Sequence, residues 1–230
     1  MNTTISDNIW SLWAILKRPP LGIILFLVIL SCVLLGLKID RDVIIFIHDN
    51  PQYFYIGTFE IITKLGDATG WLLVAAFCLL FCIYIPRSKY LHQYHDRLKN
   101  YSIKFKFIIL SCVVSGLIHH AVKIVLGRYR PRYLFSEEWY GLSPLNFNIA
   151  HNSFPSGHTQ TIFAISMGLT ILFPRFGIIF LLTAILVGFS RIILIAHYPS
   201  DVIFGAYLGL STALLLKRYY LDKRSIDRLH

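Results

Sequence analysis

Lys123 and Arg130 stand seven residues apart, which is two turns if the segment is helical, so both cations can face one way. Pro131, directly after them, ends that helix or turns the chain. Two fixed cations on one face make an anion clamp, and a guanidinium can grip phosphate oxygens in bidentate fashion. Snorkelling cations at a helix end would leave the same pattern. A second stretch, Pro155-Ser156-Gly157-His158, reads as a helix start. A serine there caps free N–H groups, a glycine lets a ligand approach the backbone, and the helix N-terminus attracts phosphate. His158 would then sit in the first turn beside a bound anion; a plain serine cap with an incidental histidine is the alternative. The third stretch holds Ser190, Arg191, His197 and Asp201. Asp201 can accept a hydrogen bond from His197 Nδ1–H, which leaves Nε2 unprotonated and nucleophilic. Otherwise it serves the dipole of the next helix. Together the stretches bring three cations, two histidines, one carboxylate and an amide-rich helix start, a set suited to phosphoryl chemistry.

Such side chains need helices to hold them. The 230-residue chain is 56% hydrophobic and only 15% charged, with a mean hydropathy of +0.61. A soluble domain carries about 25% charged residues, so a disordered chain and an ordinary soluble domain are excluded. Six stretches approach the roughly 20 apolar residues that cross a bilayer: 21–37, 71–85, 107–126, 158–173, 177–196 and 201–216. Backbone groups in lipid must bond internally, so each span is expected to be helical. The expectation is an all-α polytopic membrane protein in one domain, 1–230, with the chemistry within 123–201.

The formal net charge of +10 could mark a nucleic-acid partner, but its distribution argues against one. With the N-terminus inside, the inner segments carry fourteen Lys and Arg against four acids, whereas the outer side carries eight of each. An excess of Lys and Arg marks the cytoplasmic side. Six spans with both termini cytoplasmic follow, and the three stretches fall at outer helix ends. Within residues 1–20, Ile5, Ile9, Leu12, Trp13 and Leu16 share one helical face, which suits an interfacial helix or an extension of the first span. The apolar run continues beyond Cys32 to Leu37, as an uncleaved span does and a lipoprotein-type signal does not. Cys32, Cys78, Cys82 and Cys112 lie inside spans and are expected to be free thiols.

Further residues invite weaker readings. His119, one turn before Lys123, supports that lysine, lines a substrate pocket, or is a satisfied buried histidine. Asp67, between glycines in the stretch before Trp71, reads as a turn-former, with contact to a headgroup as the alternative. The segment 132–154, with Tyr133, Trp139, Tyr140 and His151, could roof the site. His92 and His95 are close together but fall in a basic loop and read as solvated.

The three stretches resemble the signature of the type 2 phosphatidic acid phosphatase superfamily. Every specified position is present in order: Lys123, Arg130 and Pro131; Pro155, Ser156, Gly157 and His158; Ser190, Arg191, His197 and Asp201. The six spans look like the membrane lipid-phosphatase branch rather than the soluble haloperoxidases. The resemblance implies that His197 attacks phosphorus to form a phosphohistidine while Asp201 orients its ring. It implies that His158 protonates the leaving oxygen and later activates water. Lys123, Arg130, Arg191, Ser156 and the Gly157 amide would hold the phosphoryl oxygens as charge builds. No metal or other cofactor is expected, and the only expected partners are the phosphorylated lipid substrate and membrane lipids. The implied setting is a bacterial inner membrane, with the site facing the periplasm or exterior. Lipid A, phosphatidylglycerophosphate and undecaprenyl diphosphate are the candidate substrates; short outer loops and the lack of an extra domain lean towards lipid A. A phosphotransferase passing the phosphate to another lipid, or a non-catalytic lipid-binding protein, are the rival readings.

Overall fold

The computed structural model describes residues 20–84 and 92–222. The proposed interfacial helix, and with it the basic residues Lys17, Arg18, Arg87, Lys89, Lys223, Arg224 and Arg228, lie outside the described residues. Helices dominate, and no named strand occurs among the described residues; two isolated antiparallel bridges, Arg128 with Leu142 and Tyr129 with Asn152, are the strand-like contacts.

The first helix, α1 (Leu21–Lys38), is apolar but for Ser31 and its terminal Lys38 and has no buried residue, as a helix facing lipid should. The chain breaks at Ile39 and continues as α2 (Asp40–Asp49). Next come α3 (Ile56–Thr63), a tight turn at Lys64–Gly66, and α4 (Ala68–Tyr84), with a bend of 41° between the two arms. The third expected span is longer than its apolar core: α5 runs His95–Leu126, not from Phe107. Its early turns carry Arg97, Lys99, Lys104 and Lys106, so the helix projects its charged end beyond the apolar part. His95 therefore opens a helix rather than lying in a loop.

A short helix, α6 (Pro131–Ser136), precedes a long connection to α7 (Gly157–Leu172). Helix α8 (Gly177–Ile193) and helix α9 (Pro199–Leu216) follow, the last continuing into a π-helical stretch at Lys217–Asp222. Among the described residues, four helical segments are long and apolar enough to cross a membrane, or five if the bent pair α3–α4 counts as one. Six were expected. With the bent pair counted as one span, the remaining shortfall is α7, with 16 residues, and its surroundings explain its length. Every residue from Thr159 to Gly168 is buried, so α7 is the hub around which α5, α8 and α9 pack, and it is solvated by protein rather than by lipid.

Two close approaches fix this hub. On α9, Gly205 and Gly209 lie four residues apart against the backbone of α7. A β-carbon at Gly209 would stand 2.4 Å from Gln160 O and 2.7 Å from Ala164 N, distances that no real side chain tolerates. Small residues at this spacing let membrane helices touch backbone to backbone. Polar groups on α7 are satisfied sideways: Gln160 Nε2 donates to Ser115 Oγ on α5 at 2.5 Å, and Ser115 donates to Ser111 O. The four cysteines are free thiols.

Candidate active site

The helices alternate direction, so the last turns of α5 and α8 meet the first turns of α7 and α9 at one end of the bundle. Lys123 closes α5, Arg191 closes α8, Gly157 and His158 open α7, and Asp201 lies in the first turn of α9. Arg130 joins them by a route the spacing did not suggest. Lys123 and Arg130 do not share a helix face, because α5 stops at Leu126. Gly127 takes the left-handed conformation (φ 58°), and its N–H donates to Lys123 O at 3.0 Å. A β-carbon there would come 1.7 Å from Ser143 O, so only glycine allows this stop. The chain then runs extended through Arg130, and Pro131 begins α6 rather than ending α5. Lys123 still lies within electrostatic reach of Arg130, Arg191 and Asp201.

Burial, reinforced by nearby Arg132, pushes the Arg130 guanidinium below its ordinary range. The Nε atoms of Arg130 and Arg191 are buried without a hydrogen-bond partner. None of Lys123, Arg130 and Arg191 forms an ion pair with a carboxylate among the described residues. Three crowded cations, two of them with an unpaired Nε, are arranged to receive an anion with several oxygens.

At the start of α7, Ser156 is the N-cap, but its hydroxyl does not cap the helix. It accepts a hydrogen bond from Thr159 Oγ1 at 2.9 Å instead. The Ser156 N–H donates to Asp201 O at 3.0 Å, tying this turn to α9. Gly157 is the first helical residue, and its N–H has no acceptor within the helix. His158 follows, within electrostatic reach of Arg191, Asp67, Arg130 and Lys123.

His197 sits in the turn between α8 and α9, where its N–H and that of Ala196 both donate to Arg191 O at 3.1 Å. Its side chain is almost fully buried. Burial pushes the imidazole down to about 3, against the pull of Asp201, so the ring is neutral at ordinary pH. Nδ1 lies 3.5 Å from Asp201 Oδ2 and 3.3 Å from Ser153 Oγ. Ser153 donates to the same Asp201 oxygen at 2.5 Å. With its single proton committed there, Ser153 can only accept from Nδ1, which puts the ring proton on Nδ1 and leaves the Nε2 lone pair free. The Tyr198 N–H also donates to Asp201 Oδ2, at 2.9 Å.

Arg128 makes the remaining contact to Asp201, with Nη1 2.8 Å from Oδ1. The sequence reading passed over this residue, along with Ser153, Asp40, Ser200 and Thr63. Thr63 accepts from Arg191 Nη1 at 2.6 Å, so α3 helps to aim that guanidinium. The Gly205-x-x-x-Gly209 spacing was visible in the sequence and would have pointed to the contact that aligns α9 with α7.

The weaker candidates fall in different places. His119 is buried and its Nε2 lies 3.1 Å from Pro155 O, so it braces the turn ahead of Gly157, and it stays within electrostatic reach of Lys123. Asp67 is exposed and accepts the Thr69 N–H at 2.9 Å, a local turn bond. His151 meets Tyr133 edge to face, and its carbonyl accepts the Arg130 N–H at 3.0 Å. The connection from α6 to α7 does lie over this end: Tyr129 N–H bonds Gly141 O, Ser153 N–H bonds Arg128 O, and Tyr140 Oη donates to Gly36 O on α1. Among the described residues no group of three or more His, Cys, Asp and Glu is placed to hold a metal ion.

The profile of the PAP2 superfamily matches residues 104–225, which include all three stretches. A lipid A 1-phosphatase from Rhizobium johnstonii is 33% identical over 170 residues, covering 69% of this chain and 67% of the relative. An undecaprenyl-diphosphatase from Sulfolobus acidocaldarius is 27% identical over 66% of this chain and 65% of its own length. Among solved structures, a transmembrane PAP2-type phosphatidylglycerolphosphate phosphatase from Bacillus subtilis superposes with a TM-score of 0.64 at 19% identity, covering 90% of this chain and 98% of that one. Aquifex aeolicus LpxE gives 0.54 at 24% identity, over 80% and 96%. These two likenesses bear on the fold, whereas the profile match, over more than half of the chain, bears on descent: the chain belongs to the PAP2 superfamily.

Proposed function

We propose that this protein is an integral-membrane lipid phosphatase that works through a phosphohistidine. The observation that carries the proposal is the pairing of a neutral, buried His197, its Nδ1 held by Ser153 and Asp201, with three cations that have no ion-paired carboxylate among the described residues, two of them with an unpaired Nε. The phosphoryl oxygens bind Lys123, Arg130, Arg191 and the Gly157 N–H. His197 Nε2 attacks phosphorus, the bond to the leaving oxygen breaks, and His158 gives that oxygen a proton. Water then passes a proton to His158 and attacks phosphorus, and the P–N bond breaks to release phosphate and neutral His197. Charge on the equatorial oxygens is greatest midway, where fixed donors contribute most.

The two relatives at 33% and 32% identity named lipid A 1-phosphatases favour a lipid A-type phosphate monoester as the substrate. We place the site at the outer end of six spans, with both termini in the cytoplasm; α7, though short, spans as the enclosed member. The deciding experiment is phosphate release from purified lipid A 1-phosphate, phosphatidylglycerophosphate and undecaprenyl diphosphate. His197→Ala serves as the control, and no acceptor lipid is added. Preferred turnover of lipid A, lost in His197→Ala and unchanged by EDTA, is the expected result. Turnover that survives His197→Ala, or that requires a divalent ion, would overturn the mechanism.

A further inference from the structure

Behind Asp201, on the side away from the cation cluster, lies a buried chain of charges that the mechanism above does not use. Arg128 Nη1 donates to Asp201 Oδ1 at 2.8 Å and to Ser200 Oγ at 2.7 Å, and Nη2 donates to Asp40 Oδ2 at 2.9 Å. Asp40, at the start of α2, also accepts the Ser200 N–H at 3.1 Å and the Ser200 hydroxyl. The guanidinium lies 4.1 Å over the Tyr198 ring. Side-chain exposure is 8% for Arg128 and 0% for both carboxylates. Burial pulls the Arg128 pKa down, but Asp201 and Asp40 outweigh it and hold the guanidinium above the ordinary arginine value.

One guanidinium thus serves two carboxylates. Were Asp40 absent, Arg128 would pair with Asp201 alone and neutralise it just where His197 needs a negative partner. With Asp40 sharing the cation, the buried set Asp40–Arg128–Asp201 keeps a net charge of about −1 facing His197. As His197 attacks phosphorus its ring becomes cationic, and that residual charge stabilises it. The geometry also fixes Asp201 in position, since its two oxygens take Arg128 from one side and Ser153, Tyr198 N–H and His197 from the other.

From this juxtaposition we infer that Asp40 and Arg128 are positioning residues for the His197–Asp201 pair, with Asp40 preserving the charge that Asp201 presents to the nucleophile. The inference rests on His197 being the nucleophile. It links the first membrane helix to catalysis, because α2 follows α1 directly.

The test compares wild type with Asp40→Asn, Asp40→Glu, Arg128→Gln/Asp40→Asn and His197→Ala, purified intact in detergent, on one lipid phosphate. Asp40→Asn should lower kcat on the order of ten- to a hundredfold, as loss of the charge partner behind a hydrogen-bonded carboxylate costs about 1.5–3 kcal/mol. KM and inhibition by inorganic phosphate should stay within about twofold, because the cation cluster is untouched. Vanadate, which mimics five-coordinate phosphorus bonded to the histidine, should lose affinity in step with kcat. Asp40→Glu should recover part of kcat. The double variant restores a net charge of about −1 on Asp201 but removes the Arg128 anchor, so it should turn over faster than Asp40→Asn and slower than wild type; if Asp40→Asn does not reach the membrane, a double variant at the wild-type rate would overturn the inference. Normal kcat in Asp40→Asn, or a double variant no faster than Asp40→Asn, with His197→Ala inactive, would overturn the inference alone. Activity in His197→Ala would overturn the nucleophile as well. A fall in phosphate affinity matching the fall in kcat would assign Asp40 a merely structural part and overturn the inference too.

Discussion

Gly205→Ala places one methyl group in the contact between the two helices that carry the reacting side chains. The added β-carbon would stand 2.7 Å from Ser156 O, 3.3 Å from Thr159 Cβ and 3.4 Å from Gln160 N. The nearest obstacle is backbone, which cannot swing aside, and ordinary contact begins at 3.4 Å, so α9 and the start of α7 must part by about 0.7 Å. The obstructing carbonyl belongs to the turn that presents Gly157 N–H and His158, and the same turn donates to Asp201 O at 3.0 Å. Overpacking of this kind costs about 1–3 kcal/mol of stability. A misplacement of about 1 Å at reacting groups can cost about a hundredfold in rate, so kcat should fall about ten- to a hundredfold. The assay is phosphate release with full kcat and KM determination, alongside thermal unfolding in the same detergent. The control is Gly116→Ala, on α5, whose β-carbon would meet nothing within 4 Å and which should be as stable as wild type or slightly more so. Gly209→Ala, farther from the site, should lose more stability and less rate. If Gly205→Ala turned over and unfolded like Gly116→Ala, the idea that backbone contact between α7 and α9 sets the site would be wrong.

Ser153→Ala removes the hydroxyl that both donates to Asp201 and accepts from His197. At about 1.5–3 kcal/mol for a hydrogen bond to a charged group, kcat should drop roughly ten- to a hundredfold with KM unchanged; steady-state kinetics matching wild type would remove Ser153 from the relay. Thr63→Val deprives Arg191 Nη1 of its acceptor, and at about 1 kcal/mol inorganic phosphate should inhibit about fivefold less well, a shift read from its inhibition constant. The folded His197 ring takes a proton only near about 3, whereas an unfolded histidine does so near 6.5. Between these values the unfolded chain binds more protons, so stability falls as the pH drops from 6.5 towards 3. His197→Gln should flatten that acid limb of the melting temperature, and an unaltered limb would refute the assignment.

The sequence was most informative where chemistry demands a residue type. Lys123, His158, Arg191, His197 and Asp201 declared themselves because ionisable groups at helix ends in so apolar a chain are costly, and costly groups need a reason. Their convergence was harder to foresee for Arg130, since a helix through position 127 and a glycine stop at that position both bring it near Lys123, and only the carbonyl of Ser143 excludes a side chain there. Asp40 was invisible for a different reason. It lies 88 residues from Arg128 in the chain, and in the charge tally it counted as one more acid in a balanced outer set. Ser153 looked like a loop serine because its two partners lie 44 and 48 residues away. The enclosed α7 also departed from expectation, because a length rule drawn from lipid-facing helices does not bind a helix that protein surrounds.

Two arginines in Gly127-Arg128-Tyr129-Arg130 show how little a local motif says about electrostatic role. Both are long, charged and largely buried, and they are two residues apart. Arg128 donates to two carboxylates and a hydroxyl, and those anions hold its charge. Arg130 has no carboxylate partner among the described residues, an unpaired Nε and a pKa lowered by burial. The balance of eight bases and eight acids in the segments expected on the outer side therefore does not hold within the site. Asp40 and Asp201 both pair with Arg128, which leaves Lys123, Arg130 and Arg191 without an ion-paired carboxylate among the described residues. Pairing one arginine twice creates both charge states phosphoryl transfer requires. A negative carboxylate lies behind the histidine, and excess positive charge lies in front of it where phosphate would bind. Swapping the partners, by moving either aspartate towards Arg130, would cancel both at once.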